Sequence, residues 1–288
     1  MKKLWADVEP DAGPVLGARD FDQIRQLAHG TFGLDLKPGK EELVSARLRR
    51  LLRNGKFESF QKYYQYVVTD RSGGALAAMI DALATNHTAF FREPDHFTFL
   101  QAEVLPAMTH RDPIEIWSAA CSTGEEVWTL AMILNDTLPN RRISIMATDI
   151  SNKALHQAQA AEYTPDRCQG IPPGFLGRYF VAGTGTVKTY CIAPQLRSQV
   201  TFRRVNLIQN IGAGRLYPVI FCRNVMIYFD QETQERVVAR LANSLEPGGY
   251  LFVGHAESLT RISHSLEYVR PAVYRKPGKM EGRWSKSS

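Results

Sequence analysis

Apolar residues recur every three or four positions through the first ninety residues. Phe21, Ile24, Leu27 and Ala28 share one face of a helix from Arg19 to His29, which the Gly30-Thr31-Phe32-Gly33 break ends. Leu43, Val44, Leu48, Leu51 and Leu52 repeat that spacing over Glu41 to Arg53, up to Asn54-Gly55. Two more helices are predicted over Ser59 to Thr69 and Ala75 to Ala84. No stretch here alternates as a strand does, so the pattern predicts a small all-α N-terminal domain.

After Arg111-Asp112-Pro113 the texture changes. Short apolar runs at Ile114 to Trp117, Ile143 to Ala147, Pro218 to Cys222 and Tyr250 to Val253 read as strands. Helical stretches lie between them: Glu125 to Asn135, one starting near Ser151, and Gln231 to Leu245. Such alternation predicts an α/β domain whose mostly parallel sheet is covered on both faces and binds its ligand at the carboxyl ends of the strands. Residues 171–203 interrupt it with three more strand candidates, Tyr179 to Ala182, Lys188 to Ile192 and Val200 to Phe202, joined by Gly183-Thr184-Gly185. They predict a small antiparallel β insert. The expected division is a helical domain at 16–90, an α/β domain at 91–275, and flexible tails at 1–15 and 276–288.

Composition narrows the class. Of 288 residues, 44% are hydrophobic and 22% charged, which describes a globular chain and excludes disordered and fibrous ones. No apolar run approaches the ~18 residues of a membrane span. Met1-Lys2-Lys3-Leu4 leads into Trp5-Ala6-Asp7-Val8-Glu9-Pro10, not a signal-peptide core, so a cytoplasmic protein is expected. Cys121, Cys168, Cys191 and Cys222 have no C-x-x-C spacing, and the seven histidines form no H-E-x-x-H. Reduced thiols and no bound metal are therefore expected. Net charge is +6, and +5 of it lies between Lys37 and Lys56, where Lys37, Lys40, Arg47, Arg49, Arg50, Arg53 and Lys56 face only Glu41 and Glu42. Such a patch suits an acidic partner (nucleic acid, anionic lipid or acidic protein) or is simply a solvated helix face.

Two turns carry candidate chemistry. Trp117-Ser118-Ala119-Ala120-Cys121-Ser122-Thr123-Gly124-Glu125-Glu126 follows the first strand with small residues that let a ligand approach the backbone. It is neither G-x-G-x-x-G nor a phosphate loop. Two glutamates at the helix start would repel a pyrophosphate and suit an ammonium and a sulfonium, though acids there also complement the helix dipole. Ala147-Thr148-Asp149-Ile150 ends the second strand, where a carboxylate accepts ribose hydroxyls or else caps the helix at Ser151. Together they favour S-adenosylmethionine over a nicotinamide dinucleotide.

Asn86-His87-Thr88-Ala89-Phe90-Phe91-Arg92-Glu93 and Phe221-Cys222-Arg223-Asn224-Val225-Met226-Ile227-Tyr228-Phe229 resemble signature stretches of the chemotaxis receptor methyltransferases, the CheR family. Trp117 to Glu126, Val205-Asn206-Leu207, Glu246-Pro247-Gly248-Gly249 and Gly254-His255-Ala256-Glu257 extend the match in order, over roughly residues 16–275. The resemblance implies a Rossmann-like S-adenosyl-L-methionine-dependent methyltransferase. It would form methyl esters on glutamates of a chemoreceptor's cytoplasmic helical bundle and release S-adenosylhomocysteine. Asn86, Thr88 and Arg92 would line the methionine end of the cofactor, with Glu126 also binding it and the adjacent Glu125 as the rival for that position. Asp149 would hold the ribose, Asn206 and Leu207 flank the adenine, and Arg223 and Asn224 close the pocket, with Arg92 and Tyr228 beside the transferring methyl. Phe90 and Phe91 read as packing residues. Val127 stands where the family has proline and Ala256 where it has serine.

Arg47, Arg49, Arg50 and Arg53 would then dock the receptor, and the insert would bind a tether peptide from the receptor's C-terminus by strand addition. A monomer with no nucleic-acid partner and no membrane insertion is expected. A glutamate of ordinary pKa, near 4.3, is ionised at neutral pH and needs no general base. One competing reading is a nucleic-acid methyltransferase, but Arg223-Asn224-Val225-Met226 occupies the place of the Asn/Asp-Pro-Pro-Tyr/Phe motif of exocyclic-amine enzymes. The other is a non-catalytic receptor-binding module that kept the fold.

Overall fold

A computed structural model describes residues 14–209, 211 and 214–278. The expected tails lie almost wholly outside the described residues. The chain divides between Thr85 and Asn86 into two compact units.

The described residues of the first unit form four helices, α1 (Ala18–Phe32), α2 (Glu41–Asn54), α3 (Phe60–Thr69) and α4 (Gly74–Leu83). Their apolar stripes meet in a core of Phe21, Ile24, Val44, Leu48, Leu52, Phe60, Met79 and Leu83, all buried. Gly33 ends α1 in the left-handed region at φ 79°, and Ser59 starts α3 by accepting the Lys62 N–H. Arg47 corrects one expectation. It is half-buried, and its guanidinium donates to the Leu83 carbonyl and to Thr85 Oγ1, so it caps the end of α4 instead of facing outward. Arg49, Arg50 and Arg53 are exposed.

The second unit begins with a short helix, α5 (Pro94–Phe99). Its sheet is built from β1 (Ile114–Ala119), β2 (Ile143–Asp149), β6 (Val200–Arg204), β7 (Tyr217–Phe221), β8 (Leu245–Phe252), β9 (Glu267–Arg270) and β10 (Val273–Arg275), in the order β6-β2-β1-β7-β8-β10-β9. The first five strands are mutually parallel, and β10 runs antiparallel between β8 and β9. Alternation along each strand feeds both faces. Ile114, Ile116, Val219 and Phe221 pack with Val127, Trp128 and Leu130 of helix α6 (Glu125–Thr137). Trp117, Ala119 and Ile220 pack with Val237, Val238 and Leu241 of helix α10 (Gln231–Ser244) on the other. No helix among the described residues is long and apolar enough to cross a membrane.

The insert differs from its expected form. Helix α7 (Asn152–Ala160) leads into β3 (Glu162–Tyr163), which the sequence reading missed. After α8 (Pro173–Tyr179) come β4 (Phe180–Ala182) and β5 (Tyr190–Ile192), and the small antiparallel sheet is ordered β3-β5-β4. The third expected strand, at Val200 to Phe202, follows a short helix α9 (Pro194–Arg197) and belongs instead to the large sheet as its edge, β6, parallel to β2. Its half-exposed pattern matched that of a flap strand, and no local signal distinguishes the two. The exposed β9 was likewise not anticipated.

Candidate active site

The carboxyl ends of β1, β2, β6 and β7 open onto one region, and the backbone there is held in unusual conformations. Nine described residues other than glycine have positive φ. Five of them, Phe91, Glu93, Ala120, Ser122 and Asn224, lie in the turns of this region, where such strain persists only because surrounding bonds enforce it. Gly124, at φ 97°, starts α6 with Tyr163 Oη and Ala158 so close that a Cβ would meet both within 3 Å.

Arg223 is the hub. Its side chain is 2% exposed and contacts Glu93 Oε2 at 3.0 Å and Glu126 Oε2 at 3.2 Å, donates to the Arg92 carbonyl, and lies 5.4 Å over the Phe97 ring. Ser118 Oγ donates to the other Glu126 oxygen at 2.7 Å. Burial raises the Glu126 pKa, and Arg223 opposes the rise. Burial works in the same sense at Glu93. There the Arg223 charge and hydrogen bonds from Asn224, Arg223 and the His255 N–H outweigh it and hold the carboxyl below its ordinary value.

Glu125 is fully buried, ion-paired with Arg167 and bonded by Thr123 Oγ1 at 2.7 Å. It stabilises the turn from beneath, while Glu126 joins the Arg223 cluster. The sequence reading left these two neighbours open, and helical geometry turns them about 100° apart.

Asp149, at the end of β2, accepts the Ser122 N–H at 2.8 Å and the Ser151 N–H at 2.9 Å. Ser151, not Asp149, caps α7, through its own Oγ. The carboxylate thus ties the β1 turn to the β2 turn. The pairing of β6 with β2 brings in the next candidates. Asp149 stands opposite Arg204, the Val205 N–H bonds the Asp149 carbonyl, and Asn206 with buried Leu207 follows beyond that carboxyl end. Asn206 Oδ1 accepts the Ile208 N–H, which fixes the turn.

Asn86, Thr88 and Arg92 are half-buried on the segment that opens the unit. Arg92 bonds the His87 carbonyl at 2.9 Å and so folds that segment on itself. Phe90 and Phe91 are packing residues, edge-on to Tyr163 and Phe180 and to Phe97 and Phe175. Tyr228 is half-buried at the end of the helical turn Met226–Tyr228.

Residues that sequence reasoning missed hold this group together: Glu93, Ser118, Arg167 and Glu257. Glu93 stood inside the quoted Phe-Phe-Arg-Glu stretch, but nothing local told that it would reach residues 130 positions away. Glu93, His96 and His255 offer ligand atoms within 4.8 Å of one another. Both Glu93 oxygens are already engaged, and a cation there would have to displace the Arg223 guanidinium. Burial first, then Arg223, pushes the His96 pKa down to about 3, so its 3.5 Å approach to Glu93 is not an ion pair.

Parallel strands with interleaved helices, a small-residue turn after β1 and an acid ending β2 form an α/β nucleotide-type binding domain, and similarity to known proteins gives its class: an S-adenosylmethionine-dependent methyltransferase. The family model for the CheR methyltransferase S-adenosylmethionine-binding domain matches residues 86–274, and that for the CheR all-alpha domain matches residues 19–84. The chain belongs to the CheR methyltransferase family, and its activity is S-adenosylmethionine-dependent methylation in chemotaxis. It is 38% identical to chemotaxis protein methyltransferase 2 of Pseudomonas aeruginosa, covering 88% of this chain and 92% of that one. It is 35% identical to the chemotaxis protein methyltransferase of Escherichia coli, over 90% and 91% of the two chains. The Borreliella burgdorferi chemotaxis protein methyltransferase shares 33% identity over 89% and 94%.

Proposed function

We propose that this protein transfers a methyl group from S-adenosylmethionine to ionised glutamate side chains on the cytoplasmic helical bundle of a chemoreceptor, forming methyl esters. The observation that carries the reading is the turn between β1 and α6: Asp149, at the end of β2, bonds its Ser122 N–H, Glu126 in the first turn of α6 is bonded by Ser118 of β1, and the Ser122 Oγ is buried and makes no hydrogen bond among the described residues. A carboxylate at the end of β2, a buried acid and an orphaned hydroxyl suit a ligand with ribose hydroxyls and a cationic amino-acid end. Asp149 holds the ribose, and Asn206 and Leu207 flank the adenine. Glu126, Asn86, Thr88 and Arg92 line the methionine end, and Arg223 and Asn224 close the pocket.

When bound, S-adenosylmethionine supplies an electrophilic methyl on a sulfonium. The residues of the chain then have to hold a carboxylate in line with it and keep water out. Arg92 and Tyr228 orient that carboxylate, and neither takes a proton, because a glutamate of pKa near 4.3 is already ionised. The exposed Arg49, Arg50 and Arg53 attract the receptor, and the small β3-β5-β4 sheet accepts a receptor tether peptide along an edge. The non-catalytic alternative has no observation in its favour.

The test is methylation of receptor with labelled S-adenosylmethionine. Incorporated label should be released as methanol by mild alkali, as from an ester, and should map to glutamates. Alkali-stable label, or label on nucleic acid, would overturn the reading.

A further inference from the structure

Glu257 lies outside every cofactor and substrate position named above, yet all four of its hydrogen bonds come from main-chain N–H groups. It is 6% exposed and accepts four main-chain N–H groups, two on each oxygen. Oε2 takes those of Asn224 at 2.6 Å and Gly254 at 2.7 Å, and Oε1 those of Met226 at 2.7 Å and Ile227 at 3.3 Å. Two oxygens that accept four N–H groups are coordinated as a carboxylate ion is, even though burial raises the Glu257 pKa. Three of the donors belong to the turn that carries Arg223, Asn224 and Tyr228. Successive N–H groups pointing inward make an anion-binding concavity, and here the anion is part of the chain.

Two further observations come from elsewhere. Asn224 is held at φ 59°, in the left-handed region, and its side-chain Nδ2 donates to Glu93. The residue is thus clamped by Glu257 at the backbone and by Glu93 at the side chain. Gly254 has no space for a Cβ, which would lie 2.8 Å from Glu257 Oε2 and closer still to Asn224 Nδ2. The glycine is what lets the loop after β8 approach the loop after β7.

We infer that Glu257 is a positioning residue for methyl transfer: its carboxylate gathers the backbone of residues 224–227 so that Arg223, Asn224 and Tyr228 stand where cofactor and substrate need them. This rests on the roles proposed for those three residues.

The turn offers an unusual test, because an anion nest emptied of its own carboxylate can accept another. A cavity of about 200 Å³, lined by Met226, Ile227, Ala256, Glu257 and Ser258, gives a small anion a way in. Glu257→Ala should lower the single-turnover rate on the order of a hundredfold, the scale of a roughly 1 Å misplacement. Sodium formate at tens of millimolar should restore a large part of it saturably, and sodium chloride at equal ionic strength should not. Glu257→Gln, which keeps the shape but sets an amide against N–H donors, should lose rate without formate rescue. An alanine variant that keeps the wild-type rate, or a folded one that formate does not help, would overturn the inference. If the alanine variant does not fold, a folded glutamine variant decides, with full activity overturning it and a rate loss exceeding any change in cofactor KM supporting it. Asn224→Ala and Tyr228→Phe in the same assay separate the two levels: if both keep normal affinity and rate, the reading of the site fails, not the clamp.

Discussion

In α2, Arg49, Arg50 and Arg53 stand exposed on the solvent side of a helix whose other face is buried through Val44, Leu48 and Leu52. Beyond β7, Arg223 stands 2% exposed against Glu93 and Glu126, whose side chains are 14% and 11% exposed. The same guanidinium does different work in the two places. Two unit charges 4 Å apart interact by about 1 kcal/mol in water and by about 4 kcal/mol at an effective dielectric near 20. The exposed arginines therefore act at long range, weakly each and subject to salt, whereas the buried one acts by geometry and barely feels salt.

The largest effect is expected at Arg223. Arg223→Ala leaves Glu93 and Glu126 buried without their counter-charge, a change that typically costs about 3–5 kcal/mol. Thermal unfolding should move down sharply, and calorimetry should find no cofactor binding. A variant as stable as wild type would erase the distinction between the two regions. Next is Asp149→Ala, which removes a charged acceptor worth about 1.5–3 kcal/mol and should weaken S-adenosylmethionine roughly ten- to a hundredfold by calorimetry. Unchanged affinity would reduce Asp149 to a structural role that includes its ties to the Ser122 and Ser151 backbone.

Arg47 sharpens the comparison, because it shares α2 with the exposed arginines and yet is engaged inside its own unit. Arg47→Ala should destabilise the helical unit by about 1–2 kcal/mol while leaving the salt dependence of receptor methylation intact. Reversing Arg49, Arg50 and Arg53 to Glu should do the opposite. Unfolding and cofactor affinity should stay put, and methylation of intact receptor should slow severalfold at low salt, with its salt dependence flattened. Normal methylation by the triple variant would reduce the patch to a solvated face.

The same contrast explains what was legible in the sequence. Helical spacing located α1 to α4 to within a few residues, since each stripe is a local pattern read against a local core. The largely buried β1 and β2 and the fully buried β7 announced themselves as apolar runs. Edge and exposed strands did not. The strand expected at Val200 to Phe202 was assigned to the wrong sheet, and β9, with all four residues exposed, gave no signal. At the site, the motif residues were quoted in place, but their partners were invisible because the bonds join positions far apart: Arg223 to Glu93 spans 130 residues and Asn224 to Glu257 spans 33. The choice between Glu125 and Glu126 likewise turned on which face of α6 meets Arg167 and which meets Arg223.

The central claim is that catalysis here is positioning of a nucleophile that is already ionised. A single-turnover pH profile at saturating cofactor, for wild type, Arg92→Ala and Tyr228→Phe, tests it most directly. Wild type should be nearly flat from about pH 6 to 8.5, because the reference carboxyl pKa lies near 4.3 and Glu93, held below its ordinary value, stays charged throughout. Any fall in cofactor affinity on the acid side should begin with Glu126, whose raised pKa makes it take up a proton before an ordinary carboxylate does. Arg92→Ala should lower the rate on the order of a hundredfold with a smaller change in cofactor affinity, and Tyr228→Phe should cost less, both with profiles as flat as wild type. A wild-type rate that climbs steeply through a pKa near 7 would contradict the account, since it would require a general base that positioning alone does not need.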